Sequence, residues 1–142
     1  MILYCDTSAL IKRYVEEEGA AQVNNFWESA SAVSTSVVAF AEVMAVFGRK
    51  HKERTLSTIE YKEIIGEFKE DYRHLLLVPV SEGLNISIEG LLKRHSLRGF
   101  DAIHLASAQV FDGPDNEDLL FACFDRALNN AATKEGLKVI MV

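Results

Sequence analysis

Short apolar runs alternate along the chain with longer segments in which apolar residues recur every three or four positions. The runs cover residues 2–5, 32–35, 75–80, 119–124 and 138–142. Their length and continuity are typical of strands that a sheet buries on both faces. The pattern therefore predicts five strands, with at least one helix between each strand and the next.

Turn and capping residues delimit the predicted helices. Gly19 is expected to end a first helix, Ser36 to cap a helix that reaches about Phe47, and Ser57 with Glu60 to form a capping box. The helix after this box has one apolar face, formed by Ile64, Ile65, Phe68 and Tyr72. Further helices are predicted over residues 84–94, 100–111 and 126–135.

Strands that alternate with helices indicate an α/β fold, here a three-layer sandwich with a mostly parallel central sheet of about five strands. The chain has 142 residues and shows neither an internal repeat nor a linker, so we expect a single domain over residues 1–142. Ligands of parallel α/β sheets bind at the carboxyl ends of the strands. A functional site is therefore expected at that edge.

Composition narrows the class of protein further. The longest apolar run, residues 37–47, is interrupted by Glu42, so no membrane-spanning helix is expected. The first residues, MILYCD, lack the basic segment and cleavage site of a signal peptide, which makes the cytoplasm the expected location. Cys5 and Cys123 lie in apolar runs without a CxxC pair, and we interpret both as buried thiols rather than as a disulfide or zinc ligands.

The net charge of −6 argues against general nucleic-acid binding, because an acidic surface repels phosphate. Any contact with RNA would have to use local groups of cations. The largest group lies in residues 49–54 (RKHKER) and is interpreted either as an RNA contact or as a solvated helix end whose cations suit the helix dipole. Smaller basic groups are Lys12 with Arg13, and Arg94 with His95 and Arg98.

Four carboxylates stand in apolar surroundings. Glu42 is the only charged residue in VVAFAEVMAVF, Asp101 is the only formally charged residue in FDAIHLASAQVF, and Asp6 and Asp125 directly follow apolar runs. Ionised carboxylates are rarely buried without partners, since their desolvation costs several kcal/mol. A shared site would explain all four.

The predicted positions of these acids favour such a site. Asp6 and Asp125 end strands at the carboxyl edge, Asp101 opens a helix, and Glu42 lies about two turns into a helix that starts from this edge. Two unit charges about 4 Å apart repel by roughly 4 kcal/mol at an effective dielectric near 20, so four acids together would be strongly unfavourable without protons or a cation between them. Oxygen ligands favour Mg²⁺ or Mn²⁺ over zinc. Taken singly, the aspartates are also explained as helix caps or helix-opening acids, whereas Glu42 is not.

The residues around these acids resemble the PIN domain family and, within it, the VapC-type toxins. CDTSAL at residues 5–10 resembles the family's first strand and its Asp-x-Ser turn, and STSVVAFAEV at residues 34–43 resembles the segment with the acidic helix residue. RGFDAIHLASA at residues 98–108 is the most specific match. FDRALNNAATKEGLKVI at residues 124–140 resembles the closing strand, acid, helix and strand.

This resemblance implies hydrolysis of phosphodiester bonds in RNA with Mg²⁺ or Mn²⁺ as the cofactor. It carries over Asp6, Glu42, Asp101 and Asp125 as metal ligands, and Ser8 as the small hydroxyl residue that orients the first aspartate. It also implies a homodimer and a cognate antitoxin protein that blocks the site.

Rival enzyme classes fail on particular residues. A phosphotransferase of the haloacid dehalogenase type needs a second aspartate where this chain has Ser8, and a receiver domain needs its phosphoacceptor where this chain has Ser81. The sequence contains neither a Walker loop nor a GxGxxG motif. Two alternatives stay open, a PIN-like binding module without catalytic activity and a metal-dependent nuclease that acts on DNA.

Two smaller features receive simpler interpretations. His104 lies one helical turn after Asp101, and we interpret it as a core or rim histidine rather than as a site residue. The acidic segment at residues 112–118 lacks the regular alternation of a calcium loop, so it is interpreted as solvated.

Overall fold

A computed structural model describes residues 1–114 and 118–140 of the chain, and this part contains five strands and seven helices. The strands are Ile2–Cys5 (β1), Ala32–Ser36 (β2), Leu76–Val78 (β3), Leu119–Ala122 (β4) and Lys138–Val139 (β5). The helices are Thr7–Tyr14 (α1), Ala20–Ser29 (α2), Ala39–Lys52 (α3), Thr58–Tyr72 (α4), Glu82–Arg94 (α5), Gly99–Gln109 (α6) and Arg126–Lys134 (α7).

All pairings between these strands are parallel, and their order across the sheet is β3-β2-β1-β4-β5. β1 is central: Ile2 is in register with Ala32 of β2 on one side and with Leu119 of β4 on the other. The predicted α/β fold with a mostly parallel sheet is therefore confirmed. Because the strands are parallel, the carboxyl ends of β1, β2 and β4 lie at one edge, where α1, α3 and α7 begin.

The hydrophobic core lies on both faces of the sheet. Successive residues of a strand point to opposite faces, and Tyr4 accordingly packs in one cluster while Leu3 and Cys5 pack in the other. Phe121 joins the cluster of Tyr4, together with residues of α5, α6 and α7. Phe68 joins the opposite cluster, together with residues of α1 and α3. The predicted three layers are thus helices, sheet and helices.

Two helices differ from the prediction. α2, over Ala20–Ser29, was not predicted, and α3 begins at Ala39 and continues past Phe47 to Lys52. Ser36 ends β2 instead of capping α3, and its hydroxyl accepts a hydrogen bond from the N–H of Val38 at 3.2 Å. α3 therefore begins only at Ala39, because residues 37–38 form the turn that follows β2. The capping box of Ser57 and Glu60 at the start of α4 is confirmed.

Some predictions fall partly outside the described residues. These are the end of the last strand, Met141 and Val142, and the acidic residues Asp115 and Glu117. In residues 1–114 and 118–140, the structure has no helix with the length and hydropathy needed to span a bilayer. Cys5 and Cys123 are buried and unpaired, as predicted.

Candidate active site at the carboxyl edge of the sheet

Asp6 leaves β1 and caps α1. Its Oδ1 accepts the N–H of Ala9 at 2.9 Å and the hydroxyl of Ser8 at 2.7 Å, and only 5% of the residue is exposed. The Ser8 oxygen in turn accepts the N–H of Phe124 at 3.0 Å, just beyond the end of β4. Ser8 therefore holds the first acid and also ties together the ends of the two neighbouring strands.

Burial dominates the electrostatics of Asp6. It raises the pKa of this carboxyl above the ordinary value, although nearby His104 and the hydrogen bond from Ser8 act in the opposite direction. Burial also raises the pKa of the Cys123 thiol, and the charges of Asp6 and Asp125 add to that effect. Two of the four acids thus contribute to the raised pKa of this thiol, and they follow the neighbouring strands β1 and β4.

Glu42 lies in the first turn of α3, not two turns into it as predicted, because α3 starts at Ala39. There the positive end of the helix dipole favours its charge. Its Oε1 accepts the Thr7 hydroxyl at 2.7 Å and contacts Nε2 of His104 at 2.8 Å. Burial alone would raise the pKa of Glu42, but these hydrogen bonds outweigh it and the pKa is lowered.

His104 is a site neighbour that the sequence analysis interpreted as a core or rim residue. It is buried, with 2% of its surface exposed, and its Nδ1 lies 2.9 Å from the hydroxyl of Tyr4. Burial raises the pKa of Tyr4 well above its ordinary value, so the phenol stays protonated. The signal was present in the sequence as the spacing of one helical turn from Asp101, but that spacing does not reveal the contact with Glu42.

Asp101 lies in the first turn of α6 beside Arg98, whose Nε is 3.2 Å from Oδ2. This hydrogen bond is the main reason why the pKa of Arg98 is raised, and the charges of Asp101, Asp125 and Glu42 contribute further. The guanidinium, 82% exposed, therefore lies within electrostatic range of three of the four acids. These three carboxylates share a region in which positive charge is stabilised.

Asp125 follows β4 and caps α7 by accepting the N–H of Leu128 at 2.9 Å. Its own N–H donates to Sγ of Cys123 at 3.2 Å. One turn later, the side-chain amide of Asn129 donates to the carbonyl of Cys123 at 2.7 Å. The Oδ1 of Asn129 is buried without a hydrogen-bond partner in the described part of the chain.

The burial of the four acids differs from the prediction. Asp6 alone among them is buried, whereas the side chains of Glu42 and Asp101 are 28% and 17% exposed and Asp125 is half-buried. The simpler explanations also hold in part, because Asp6 and Asp125 are helix N-caps and Asp101 is in a first turn. An aspartate that caps or opens a helix can also belong to the candidate site. Each of these helices has its first turn at the carboxyl end of the sheet.

Metal ligation by these acids stays a prediction. Within residues 1–114 and 118–140, no three Asp, Glu, His or Cys side chains are arranged so that they could hold a metal ion together. Each carboxylate is instead turned towards a donor of the protein: Ser8 for Asp6, His104 for Glu42, Arg98 for Asp101 and the N–H of Leu128 for Asp125. Like charges separate in this way because their repulsion at short distance is strong.

The basic groups lie elsewhere. Residues 49–54 form the last turn of α3 and the residues after it, and Lys52 is ten residues after Glu42, about 15 Å along the helix axis. Arg94 and His95 both contact Glu135, at 2.6 and 3.2 Å. Of the smaller basic groups, Arg98 therefore contributes a cation at the candidate site.

A family model described as PIN domain matches residues 3–134 of the chain. Ribonuclease VapC45 of Mycobacterium tuberculosis is 28% identical over 138 residues, which are 97% of this chain and 94% of that protein.

Solved structures match the chain at the level of the fold. A toxin–antitoxin complex from Klebsiella pneumoniae has a TM-score of 0.65 at 19% identity, and FitAcB from Neisseria gonorrhoeae has a TM-score of 0.66 at 16% identity. Both matches cover 99% of this chain and 97% of the other. At this identity they describe the fold alone, whereas the family match spans nearly the whole sequence, and the chain therefore belongs to the PIN domain family.

Proposed function

We propose that this chain is a divalent-metal-dependent ribonuclease, and that it is the toxin of a toxin–antitoxin pair. The observation that carries the proposal is that Asp6, Glu42 and Asp125 lie at the starts of helices that begin at the carboxyl edge of the sheet, while Arg98 pairs with Asp101 and lies within electrostatic range of Glu42 and Asp125. Membership of the PIN domain family supports it, as does the similarity to a protein named a ribonuclease.

The donor chemistry of the four proposed ligands fits Mg²⁺ or Mn²⁺, although in the described residues no three of them are arranged to hold an ion together. All four proposed ligands are carboxylates, which these hard cations prefer. The raised pKa of Arg98 supports this fit: its main cause is the hydrogen bond with Asp101, and the charges of Asp101, Asp125 and Glu42 add to it. When bound, such an ion supplies Lewis-acid polarisation of a phosphoryl oxygen and a lowered pKa for a water molecule.

The side chains of the chain have distinct roles in this proposal. Ser8 fixes Oδ1 of Asp6, which leaves the direction of that carboxylate set before any ligand binds. Arg98 is exposed beside the acids and offers a cation to a substrate phosphate. No protein nucleophile is required, because the attacking group is water.

The proposed partners follow from the relatives. One structural neighbour is described as a toxin–antitoxin complex, and this supports a cognate antitoxin protein for the present chain. We also propose a homodimer, to be tested by light scattering of the purified chain. The cytoplasm is the proposed location, and the unpaired state of Cys5 and Cys123 is consistent with a reducing compartment.

The test is cleavage of total cellular RNA with Mn²⁺ or Mg²⁺ and with EDTA in place of the metal. We expect metal-dependent cleavage that Asp101→Asn abolishes, because this change removes a proposed ligand while keeping its size. Glu89→Gln is the matched control, since it neutralises an exposed acid on α5 that pairs with Lys93. It should cleave like the wild type.

Other outcomes of this experiment identify the alternatives. Cleavage of single-stranded DNA of matched sequence at the same rate would assign a nuclease that does not read the 2′-hydroxyl. Cleavage of neither nucleic acid, together with the absence of Mn²⁺ binding in calorimetry, would overturn the proposal in favour of a PIN-like binding module.

A further inference from the structure

Both ring nitrogens of His104 are hydrogen-bonded. Nδ1 lies 2.9 Å from the Tyr4 hydroxyl, and Nε2 lies 2.8 Å from Oε1 of Glu42. The ring is buried, and it meets the ring of Tyr4 edge-on at 6.0 Å between centroids. His104 thus connects a fully buried tyrosine of the central strand to a half-buried acid of the candidate site.

Chemistry sets the direction of these hydrogen bonds. The pKa of Glu42 is lowered, and an ionised carboxylate can only accept hydrogen bonds. Nε2 of His104 therefore carries the hydrogen and donates it to Glu42, while the Tyr4 hydroxyl contacts the ring from the side of Nδ1. Tyr4 is held in place by stacking on Phe121, at 5.7 Å and 9° between the ring planes. The donor that faces Glu42 is therefore fixed by packing in the core.

The two donors to Glu42 use the same oxygen. Thr7 and His104 both contact Oε1, and within the described residues the structure shows no hydrogen bond to Oε2. Thr7 directly follows Asp6, so its hydroxyl comes from the same chain segment as the first acid. One oxygen is thus fixed by the protein, and the other is left for a ligand.

We propose that His104 is a positioning residue, which orients Glu42 for metal binding through the hydrogen bond from Nε2, while Tyr4 holds the ring at Nδ1. This inference rests on the proposed function, because it takes Glu42 to be a ligand. Partners that hold a metal ligand in this way are worth about 10- to 100-fold in metal affinity. A histidine that only fills the core would affect stability without this selective effect.

The test compares two substitutions by Mn²⁺ calorimetry. In His104→Gln, the side-chain amide replaces Nε2 and can still donate to Glu42, whereas in His104→Asn the shorter amide replaces only the position of Nδ1. We expect Mn²⁺ affinity to fall by about tenfold or more in His104→Asn and to change by less than about threefold in His104→Gln. Thermal unfolding without metal gives the stability of each variant.

A second variant guards against a failure to fold. Thr7→Val keeps the shape of the side chain and removes the other donor to Oε1, so it should also weaken Mn²⁺ binding. His95→Asn is the matched control, because His95 contacts Glu135 at 3.2 Å, away from the four acids. It should leave Mn²⁺ affinity unchanged.

The outcomes separate the two proposals. If the wild type and His95→Asn bind Mn²⁺ and both His104 variants bind it equally well, the positioning role is wrong and the metal site stands. If His104→Asn and His104→Gln lose affinity to the same extent as they lose stability, His104 is a core residue only. If no protein in the series binds Mn²⁺, the proposed metal site is wrong, and the role of His104 is wrong with it.

Discussion

The carboxylate of Asp6 accepts two hydrogen bonds on Oδ1, and that of Glu42 accepts hydrogen bonds from two side chains on Oε1. These donors keep both acids in place, although their burial differs. Asp6 is charged only at the cost of desolvation, which its raised pKa reflects, whereas Glu42 is half-buried and its pKa is lowered. At the scale of single residues, these two acids of the candidate site therefore have pKa values shifted in opposite directions.

Replacing Asp6, the buried acid, tests whether the burial of its charge destabilises the fold. Asp6→Asn keeps an oxygen that can cap α1 and accept the Ser8 hydroxyl, while the buried charge is removed. We expect the melting temperature without metal to rise by about 2 to 4 °C, as a gain of about 1 kcal/mol gives for a chain of this size. Calorimetry in EDTA measures it.

The control is Asp71→Asn, which removes an acid that is one-third exposed and accepts the Tyr14 hydroxyl at 2.8 Å. It should not raise the melting temperature. A melting temperature several degrees below that of the wild type in Asp6→Asn would mean that the charge of Asp6 stabilises the fold.

Contacts between residues that are distant in the sequence could not be predicted from it. The four acids stood out as charges in apolar segments, and the contact of Ser8 with Asp6 spans only two positions. The contacts of Glu42 span 35 positions to Thr7 and 62 to His104. No local pattern reveals such pairs, because they depend on how α1, α3 and α6 meet.

At the scale of elements, Gly19 shows why α2 was not predicted. It was interpreted as the end of the first helix, but α1 ends at Tyr14, and Gly19 is instead the N-cap of α2, with φ at 90°. A Cβ at this position would lie 2.6 Å from the Phe124 ring, so glycine is required by space as well as by conformation. The strands could be predicted because a continuous apolar run is visible in the sequence without knowledge of the residues that pack against it.

The ends of three helices meet at Glu135. This residue follows α7, where the helix dipole disfavours negative charge, and it contacts Arg94, His95 and Gln109. The hydrogen bond from Arg94 is the main reason why the pKa of Glu135 is lowered to about 2. Its charge therefore links α7 to the ends of α5 and α6.

This lowered pKa has a defined effect on stability. The folded pKa is below the unfolded value of about 4.3, so the contribution is present above that value and is lost as the pH falls towards 2. We expect Glu135→Gln to lower the free energy of unfolding at neutral pH by up to about 1 kcal/mol, a value reduced for the solvent exposure of Arg94. Urea unfolding at about pH 7, 5 and 3 measures the difference from the wild type, which should shrink with the pH.

Glu89→Gln serves as the control, because its pair with Lys93 is exposed on α5 and contributes little. A difference between Glu135→Gln and the wild type that stays constant down to about pH 3 would contradict the assignment to the charge of Glu135.

At the scale of the whole molecule, the distribution of charge matters more than its sum of −6. Within residues 1–114 and 118–140, six Lys and Arg residues form ion pairs with acids: Lys12, Arg13, Arg73, Lys93, Arg94 and Arg98. The four Lys and Arg residues of residues 49–54 form no ion pair with the described residues, and most of them are exposed. This segment is therefore the candidate for a phosphate contact on an acidic molecule.

RNA that reaches the acids could therefore also contact this segment, about 15 Å away along α3. We expect Lys52→Glu with Arg54→Glu to weaken RNA binding and to reduce the slope of log affinity against log salt by about 1 to 2. Fluorescence anisotropy with labelled RNA, in the Asp101→Asn background to prevent cleavage, measures both quantities.

Lys93→Glu with Lys134→Glu changes the net charge by the same amount on other helices, and it should alter binding less. Equal losses in the two double variants would mean that only the total charge matters, and that the segment is a solvated helix end.

The hydrogen bond from the Phe124 N–H to Ser8 joins residues that are 116 positions apart. β1 lies in the middle of the sheet, yet its neighbour β4 is separated from it along the sequence by β2, β3 and six helices. A ribosome-bound chain that has not yet exposed β4 and α7 has Asp6 without its partner strand and has no Asp125. If the four acids act as proposed, the order of the strands keeps the site incomplete until β4 and α7 have left the ribosome, and the proposed cleavage of RNA is delayed until then.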